Sequence, residues 1–194
     1  MSDSPVRIVG FSGSLRKASL NTALLRAAAE LVPPDVTLDI IEICGLPLYN
    51  ADLILPPSGL DEKPRYPASV EPARQAIAAA DALLIVSPEY NFSMPAVTKN
   101  VLDWASRPPN ALDEKAVAFT GASPGGMGTV RGQMALRDVC VFTNMHAINK
   151  PELFVSQAPS KFDKDLKLTD EPTREALGKL LASLAAFARR LKQR

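Results

Sequence analysis

The sequence predicts a doubly wound parallel α/β domain with five strands in the order 2-1-3-4-5. Three observations carry this. Short β-branched runs alternate with helical periodicities along the chain. The run 82–87 (ALLIVS) is apolar on both faces, as in a central strand covered by helices on either side. The length, 194 residues, suits a single domain over 1–194 with a sizeable core.

The first strand is 6–11 (VRIVGF), β-branched and followed by Ser-Gly-Ser. Leu20, Leu24, Leu25, Ala28 and Leu31 then recur at helical spacing, with Ser19 as N-cap and Pro33-Pro34 as the stop. Val36, Leu38 and Ile40 alternate as a second strand. Residues 45–68 are rich in proline and lack periodicity, which reads as a long loop. Loops of that length are usually functional or ordered by a partner. A second helix follows Ser69, with Pro72 in its first turn, and ends near Ala80. Strand 82–87 comes next, then a helix opened by Pro95 and reaching about Trp104. Strand 115–120 precedes a helix over 128–143, for which Val130, Met134, Val139 and Phe142 are the expected inward positions. A fifth strand falls within 147–156, where Pro151 has to occupy an edge or a bulge. The last helix carries the stripe Leu177, Leu180, Leu181, Leu184, Phe187 and Leu191, opened by Glu171-Pro172.

Five strands favour the flavodoxin-like order over the six-strand dinucleotide fold, and in such sheets ligands bind beyond the carboxyl ends of the strands where the winding reverses. The loops after strands 1, 3 and 4 meet there. The first, 12–22, leads into a helix N-terminus, whose free N–H groups and dipole favour a phosphate. Ser14, Ser19, Asn21 and Thr22 add neutral donors, and Arg16 adds a forked, fixed charge. A capped turn facing water is the competing reading. The loop is neither GxxxxGK[ST] nor GxGxxG, which argues against a P-loop and against direct nicotinamide binding of the Rossmann kind. The second loop, Ser87-Pro88-Glu89-Tyr90-Asn91-Phe92-Ser93-Met94-Pro95, is a rigid turn with two aromatics. Tyr90 and Phe92 serve either as a wall for a planar heterocycle or as packing at the core or a subunit interface. The third has four glycines within 121–128, which permit close backbone approach to a ligand. Together the loops fit a nucleotide-sized ligand, its phosphate on the first and a flat ring between the second and third.

Composition narrows the function further. Lys and Arg number 22 against 21 Asp and Glu, so there is no global electrostatic case for nucleic acid or an anionic membrane. Two cysteines and one histidine supply neither a disulfide scaffold nor a metal cluster, so no metal is expected. Cys44 and Cys140 are expected to be buried, and His146 to be structural. Arg131 and Arg137, on the fourth helix, either attract a nucleotide phosphate or take solvated or subunit-bridging places. No apolar run approaches the roughly 20 residues of a membrane helix. The opening Met-Ser-Asp-Ser-Pro lacks the regions of a signal peptide, so a cytoplasmic location is expected. Proline is enriched, 17 residues in all, and six lie between Pro47 and Pro72.

Two of these loops carry a resemblance. Gly13, Ser14, Arg16, Ser19 and Asn21 match G-S-x-R-x-x-S-x-N. Pro88, Glu89, Tyr90, Asn91, Ser93, Pro95, Lys99, Asn100, Asp103 and Trp104 match P-E-Y-N-x-S-x-P/A-x-x-x-K-N-x-x-D-W. In these motifs the sequence resembles the NADPH-dependent FMN reductase family of flavodoxin-like proteins, which includes chromate and quinone reductases. The resemblance spans residues 6–190. It implies a bound FMN, its phosphate held by Ser14, Arg16, Ser19 and Asn21 with Thr22 beside them. It implies Pro88, Glu89, Tyr90 and Asn91 along the isoalloxazine, with Ser123 and Gly125 on its far side. NADPH or NADH would supply electrons, and a quinone, a flavin, chromate or an azo compound would receive them. No catalytic residue is implied, because the chemistry belongs to the flavin. Relatives are usually dimers or tetramers, which suggests that Leu48-Tyr49-Asn50 reaches a neighbour. Trp104, after a run of helix positions, is expected to pack at an interface rather than touch the flavin. The third loop departs from relatives at Pro124 and Met127. A non-enzymatic FMN electron carrier is the alternative, and a nucleotide-binding module without redox function is a third.

Overall fold

A computed structural model describes residues 5–56 and 64–193. The first four residues and the middle of the Pro-rich segment, 57–63, on which two of the expectations fall, lie outside the described residues.

The elements run β1 Val6–Ser12, α1 Leu20–Glu30, β2 Val36–Ile40, α2 Glu71–Ala79, β3 Ala82–Val86, α3 Ala96–Ala105, β4 Ala116–Ala122, α4 Val130–Thr143, β5 His146–Ala147, β6 Leu153–Val155 and α5 Glu171–Lys192. The parallel sheet has the order β2-β1-β3-β4-β5, with β6 also paired to β4. The winding therefore reverses between β1 and β3, where Ser12 pairs with Val86.

Residue type explains the two layers. Strand side chains alternate between faces. Val6, Ile8, Ala82, Leu84, Ala116 and Ala118 pack with Leu24, Leu25, Leu177, Leu181 and Leu184, which places α1 and α5 on one face. Val9, Phe11, Leu83, Ile85, Val117 and Phe119 pack with Ile77, Val101, Leu102, Leu136 and Cys140, which places α2, α3 and α4 on the other. Ser19 caps α1 as expected, its side chain accepting from the Thr22 amide.

Several expectations are corrected. The fifth strand is two short segments: Val117 pairs with Ala147 and Thr120 with Leu153. Pro151 lies in the gap, and a proline has no N–H to give a ladder. On α4 the buried positions are Gly132, Gln133, Leu136, Cys140 and Thr143, whereas Met134 and Phe142 are 54% and 84% exposed. Gln133 can be buried because its amide donates to Thr129 Oγ1 and to the Leu153 carbonyl, both at 3.0 Å. Cys44 is exposed, while Cys140 is buried. Trp104 is a core residue, only 1% exposed. Its ring lies edge-on to Tyr49 at 5.0 Å and anchors the Pro-rich segment within this same chain.

Candidate functional site

β1, β3 and β4 end side by side, and their loops pack against one another with no room for larger residues. A Cβ on Gly13 would fall 2.1 Å from Thr98 Oγ1 and 2.7 Å from Ser87 Oγ. A Cβ on Gly121 would fall 2.0 Å from the Ser87 carbonyl oxygen. Ser87 and Thr98 are hydrogen-bonded to each other at 3.1 Å, so the second loop and α3 make a buried polar knot against which Gly13 of the first loop packs.

The first loop presents its backbone outward. Gly13 N–H is bound to Val86 O, and Arg16 N–H lies 3.4 Å from Ser14 Oγ. The N–H groups of Ser14, Leu15, Lys17 and Ala18 have no acceptor among the described residues, and those of Leu20 and Asn21 open the first turn of α1. Arg16 is exposed beside them. The set is a row of donors with a cation, at the positive end of a helix dipole.

The second loop is a miniature hairpin. Tyr90 and Ser93 exchange both backbone hydrogen bonds, at 2.9 and 3.0 Å. Asn91 and Phe92 between them have φ of +50° and +65°, the pattern of a type I′ turn. Phe92 is a poor residue for that region, at a cost of about 1–3 kcal/mol. It is nonetheless 69% exposed, with the Arg131 guanidinium 4.0 Å above its ring. Such strain is concentrated at functional sites. Pro88 is buried at the hairpin base, and Tyr90 stands half out of the surface.

Between these two loops lies an open cleft of about 380 Å³, lined by Gly13, Ser14, Leu15, Arg16, Tyr90, Pro95, Ala96 and Val97. A second, of about 180 Å³, lies on the other side of the first loop, where Ser14, Arg16, Lys17 and Thr22 face Glu42 and Cys44. The cleft beside Tyr90 is thus shared with the first loop.

The predicted site residues divide into two groups. Ser14, Arg16 and Tyr90 converge on the larger cleft, and Asn91 and Gly125 are exposed at the rims of their loops. The others are turned to the protein's own groups. Ser19 caps α1. Thr22 Oγ1 donates to Ser12 Oγ at 2.9 Å. Ser123 Oγ accepts from the Gly125 amide at 3.2 Å. Asn21 exchanges two hydrogen bonds with the Ala122 backbone, and Glu89 accepts from the amides of Arg131 and Gly132.

Sequence reasoning missed Arg74. It is 6% exposed and donates to the carbonyls of Trp104, Ala105, Arg107 and Pro109, bracing the C-terminal end of α3. Burial lowers its pKa from the ordinary arginine value. Its one sequence signal was an arginine on the face of α2 that carries Ile77. His146 pairs with Glu114 at 2.9 Å, at the opposite end of the sheet from the clefts. Among the described residues no helix is long and apolar enough to cross a membrane, and no three His, Cys, Asp or Glu side chains could hold a metal.

Comparison with known proteins bears on this arrangement. The profile of the NADPH-dependent FMN reductase family matches residues 6–160. An NAD(P)H-dependent FMN reductase of Pseudomonas aeruginosa is 44% identical over 193 residues, covering 99% of this chain and 100% of its own. An NADPH:quinone oxidoreductase of Arabidopsis thaliana is 46% identical over 192 residues, covering 96% of this chain and 94% of its own. Among solved structures, a flavoenzyme NAD(P)H:(acceptor) oxidoreductase from Paracoccus denitrificans superposes with a TM-score of 0.81 at 30% identity, over 95% of this chain and 98% of its own. The match of sequence, fold and loop motifs over nearly the whole length establishes that the chain belongs to the NADPH-dependent FMN reductase family.

Proposed function

We propose that this chain is an FMN-dependent NAD(P)H oxidoreductase that passes electrons from NADPH or NADH to a quinone, a flavin or a similar small acceptor such as chromate or an azo compound. The observation that carries the reading is the row of acceptor-free amides and Arg16 at the start of α1, adjoining a cleft walled by Tyr90.

These residues fit FMN. A dianionic phosphate needs several donors and a neighbouring positive charge, which the N–H groups of Ser14, Leu15, Lys17 and Ala18, the Ser14 hydroxyl and the Arg16 side chain provide, with Ser19 and Thr22 shaping the turn. A flat, mostly apolar ring needs a preformed slot with few polar groups. Pro88, Tyr90, Asn91, Ser123 and Gly125 are the residues assigned to it. When bound, FMN supplies the hydride and electron chemistry. The protein has to bind, orient and shield. The helix dipole and Arg16 neutralise the phosphate. Pro88 and Pro95 restrict the second loop, so less freedom is lost on binding. Tyr90 lines one side of the cleft.

The finer readings rest on physical arguments. Met134, Val141 and Phe142 leave an apolar strip exposed on α4, which favours a homodimer or homotetramer. Balanced charge disfavours nucleic acid as a partner. Both cysteines are free, which suits the reducing cytoplasm.

The test is spectroscopic and kinetic. Purified protein is expected to be yellow, or to become so with added FMN, to bleach on anaerobic addition of NADPH or NADH, and to oxidise the nicotinamide in the presence of a quinone. A colourless protein that takes up no FMN would overturn the reading. A yellow protein that no nicotinamide reduces would point to the electron carrier.

A further inference from the structure

The third loop, 123–129, has three of the chain's glycines, at 125, 126 and 128, and residues 124–127 are exposed. Such a segment has large conformational freedom when unrestrained. One side is joined to the β6 end of the sheet by backbone bonds: Ser123 N–H donates to Val155 O at 2.9 Å, and Gln157 N–H donates to Gly125 O at 3.2 Å. Toward the other two loops the backbone of 123–129 has no such partner among the described residues. Along β4 the groups of alternate residues face opposite neighbours. Thr120 O accepts from Ser87 N on the β3 side, while Ser123 N turns to β6. Ala122 therefore faces the β3 side, just beyond Ser87, the last residue of that chain to donate to β4.

Asn21 fills this position. Its Nδ2 donates to Ala122 O at 3.0 Å, and its Oδ1 accepts from Ala122 N at 2.8 Å, reproducing a ladder pair with a side chain. Asn21 is 5% exposed and Ala122 4%. At the far end of the third loop, Glu89 Oε2 accepts from Arg131 N at 2.8 Å and from Gly132 N at 3.0 Å, the open amides of the first turn of α4. Arg131 Nη1 lies 3.8 Å from the other carboxylate oxygen. One side chain from the first loop and one from the second thus anchor the two ends of the third.

We infer that Asn21 and Glu89 are positioning residues that pre-organise the glycine-rich loop for the flavin ring, and that Asn21 does not hold the phosphate. The inference rests on the FMN reading above and deepens it. A phosphate ligand and a positioning residue differ in what they sense. Riboflavin has the same ring as FMN and no phosphate, so loss of a phosphate ligand weakens FMN alone, whereas loss of loop order weakens both.

Dissociation constants for FMN and riboflavin, measured by quenching of flavin fluorescence, test this. Asn21→Ala and Glu89→Ala are each expected to weaken both ligands by the same factor, about tenfold. Glu89→Gln, which keeps an acceptor for the α4 amides, is expected to recover most of the affinity. Arg16→Ala is expected to weaken FMN and spare riboflavin. Weakening of FMN alone by Asn21→Ala would make Asn21 a phosphate ligand and overturn the proposal, as would unchanged affinity for both. Asn21→Asp, of equal size but without the donor to Ala122 O, replaces the alanine variant if that one does not fold. Amide hydrogen exchange of the flavin-free protein is the second readout. Residues 123–129 are expected to exchange faster in both alanine variants, with β1 and α5 as in the parent. Unchanged exchange at 123–129 sinks the inference whatever the ligand. A parent protein that binds neither flavin sinks the functional reading and leaves the exchange result to stand by itself.

Discussion

The indole N–H of Trp104 donates to the carbonyl oxygen of Pro47 at 2.8 Å, and the side-chain amide of Asn100 donates to the same oxygen at 2.8 Å. Asn100 Oδ1 in turn accepts from Tyr49 N at 2.7 Å. Three contacts from two residues of α3 thus hold the beginning of the Pro-rich segment against the domain. Trp104→Phe keeps most of the buried ring and removes one donor from an oxygen that retains another. Its expected cost is about 1 kcal/mol, whereas Trp104→Ala is expected to cost about 3–5 kcal/mol through the cavity it leaves. Urea unfolding of the two variants measures both.

Arg16, like Lys17 beside it, is exposed and has no ion-pair partner among the described residues, so its removal is expected to leave the fold untouched. Arg16→Ala is expected to weaken FMN binding by about 1.5–3 kcal/mol with an unchanged unfolding midpoint. Titration calorimetry with FMN measures the first and urea unfolding the second.

Three glycines separate packing from propensity. At Gly13 an added methyl meets the hydrogen-bonded side-chain hydroxyls of Ser87 and Thr98; at Gly121 it meets the Ser87 backbone carbonyl; at Gly178, inside α5, it meets nothing within 4 Å. Gly13→Ala is expected to cost about 1–3 kcal/mol and Gly121→Ala more, by overpacking. Gly178→Ala is expected to stabilise by about 0.5–1 kcal/mol, because alanine has less freedom to lose in a helix. Thermal unfolding should place Gly178→Ala highest, Gly13→Ala below it and Gly121→Ala lowest.

The two thiols should differ in reactivity. Burial pushes the Cys140 thiol up to about 11, so at pH 8 it is both covered and protonated, while Cys44 is exposed. A chromogenic disulfide reagent is expected to titrate one thiol rapidly in the native protein and the second only after denaturation. Cys44→Ser is expected to remove the fast phase.

Acid stability should depend on the N-cap of α5. The Asp170 side chain accepts from Thr173 Oγ1, Lys161 Nζ and Thr173 N, and the Thr173 hydroxyl and then Lys161 contribute most to lowering its pKa. A depressed carboxylate contributes stability that is fully present above its unfolded pKa and is lost as the pH falls through the lower folded value. Unfolding midpoints of the parent should therefore fall below the ordinary aspartate range. Asp170→Asn should be less stable at neutral pH and show a shallower decline in acid.

How much could be read from the residues alone follows from how far apart the interacting groups lie. The βα alternation, the Ser19 cap and the two-faced burial of β3 are local or periodic properties, so residue type displays them directly. Met134 and Phe142 misled because an apolar side chain announces a dry face without saying whose. Gln133 misled the other way, since a buried amide needs partners, here Thr129 and Leu153, that no helical period announces. Cys44 and Trp104 departed from their expected places for the same reason: one lies within a turn beside a cleft, the other meets a proline carbonyl 57 residues away.

By itself the sequence determined the order of elements, the winding of the sheet, the family and the three loops proposed to form the site. Each follows from short-range patterning of apolar residues, glycine and proline, or from motifs read along the chain. Only the tertiary structure decided which motif residues face the ligand space and which are committed to the protein's own backbone. Asn21 and Glu89 have side chains as suited to a cofactor as to a peptide group. Asn21 reaches Ala122, 101 residues away, and Glu89 reaches Gly132, 43 residues away, because the parallel sheet brings the ends of β1, β3 and β4 together.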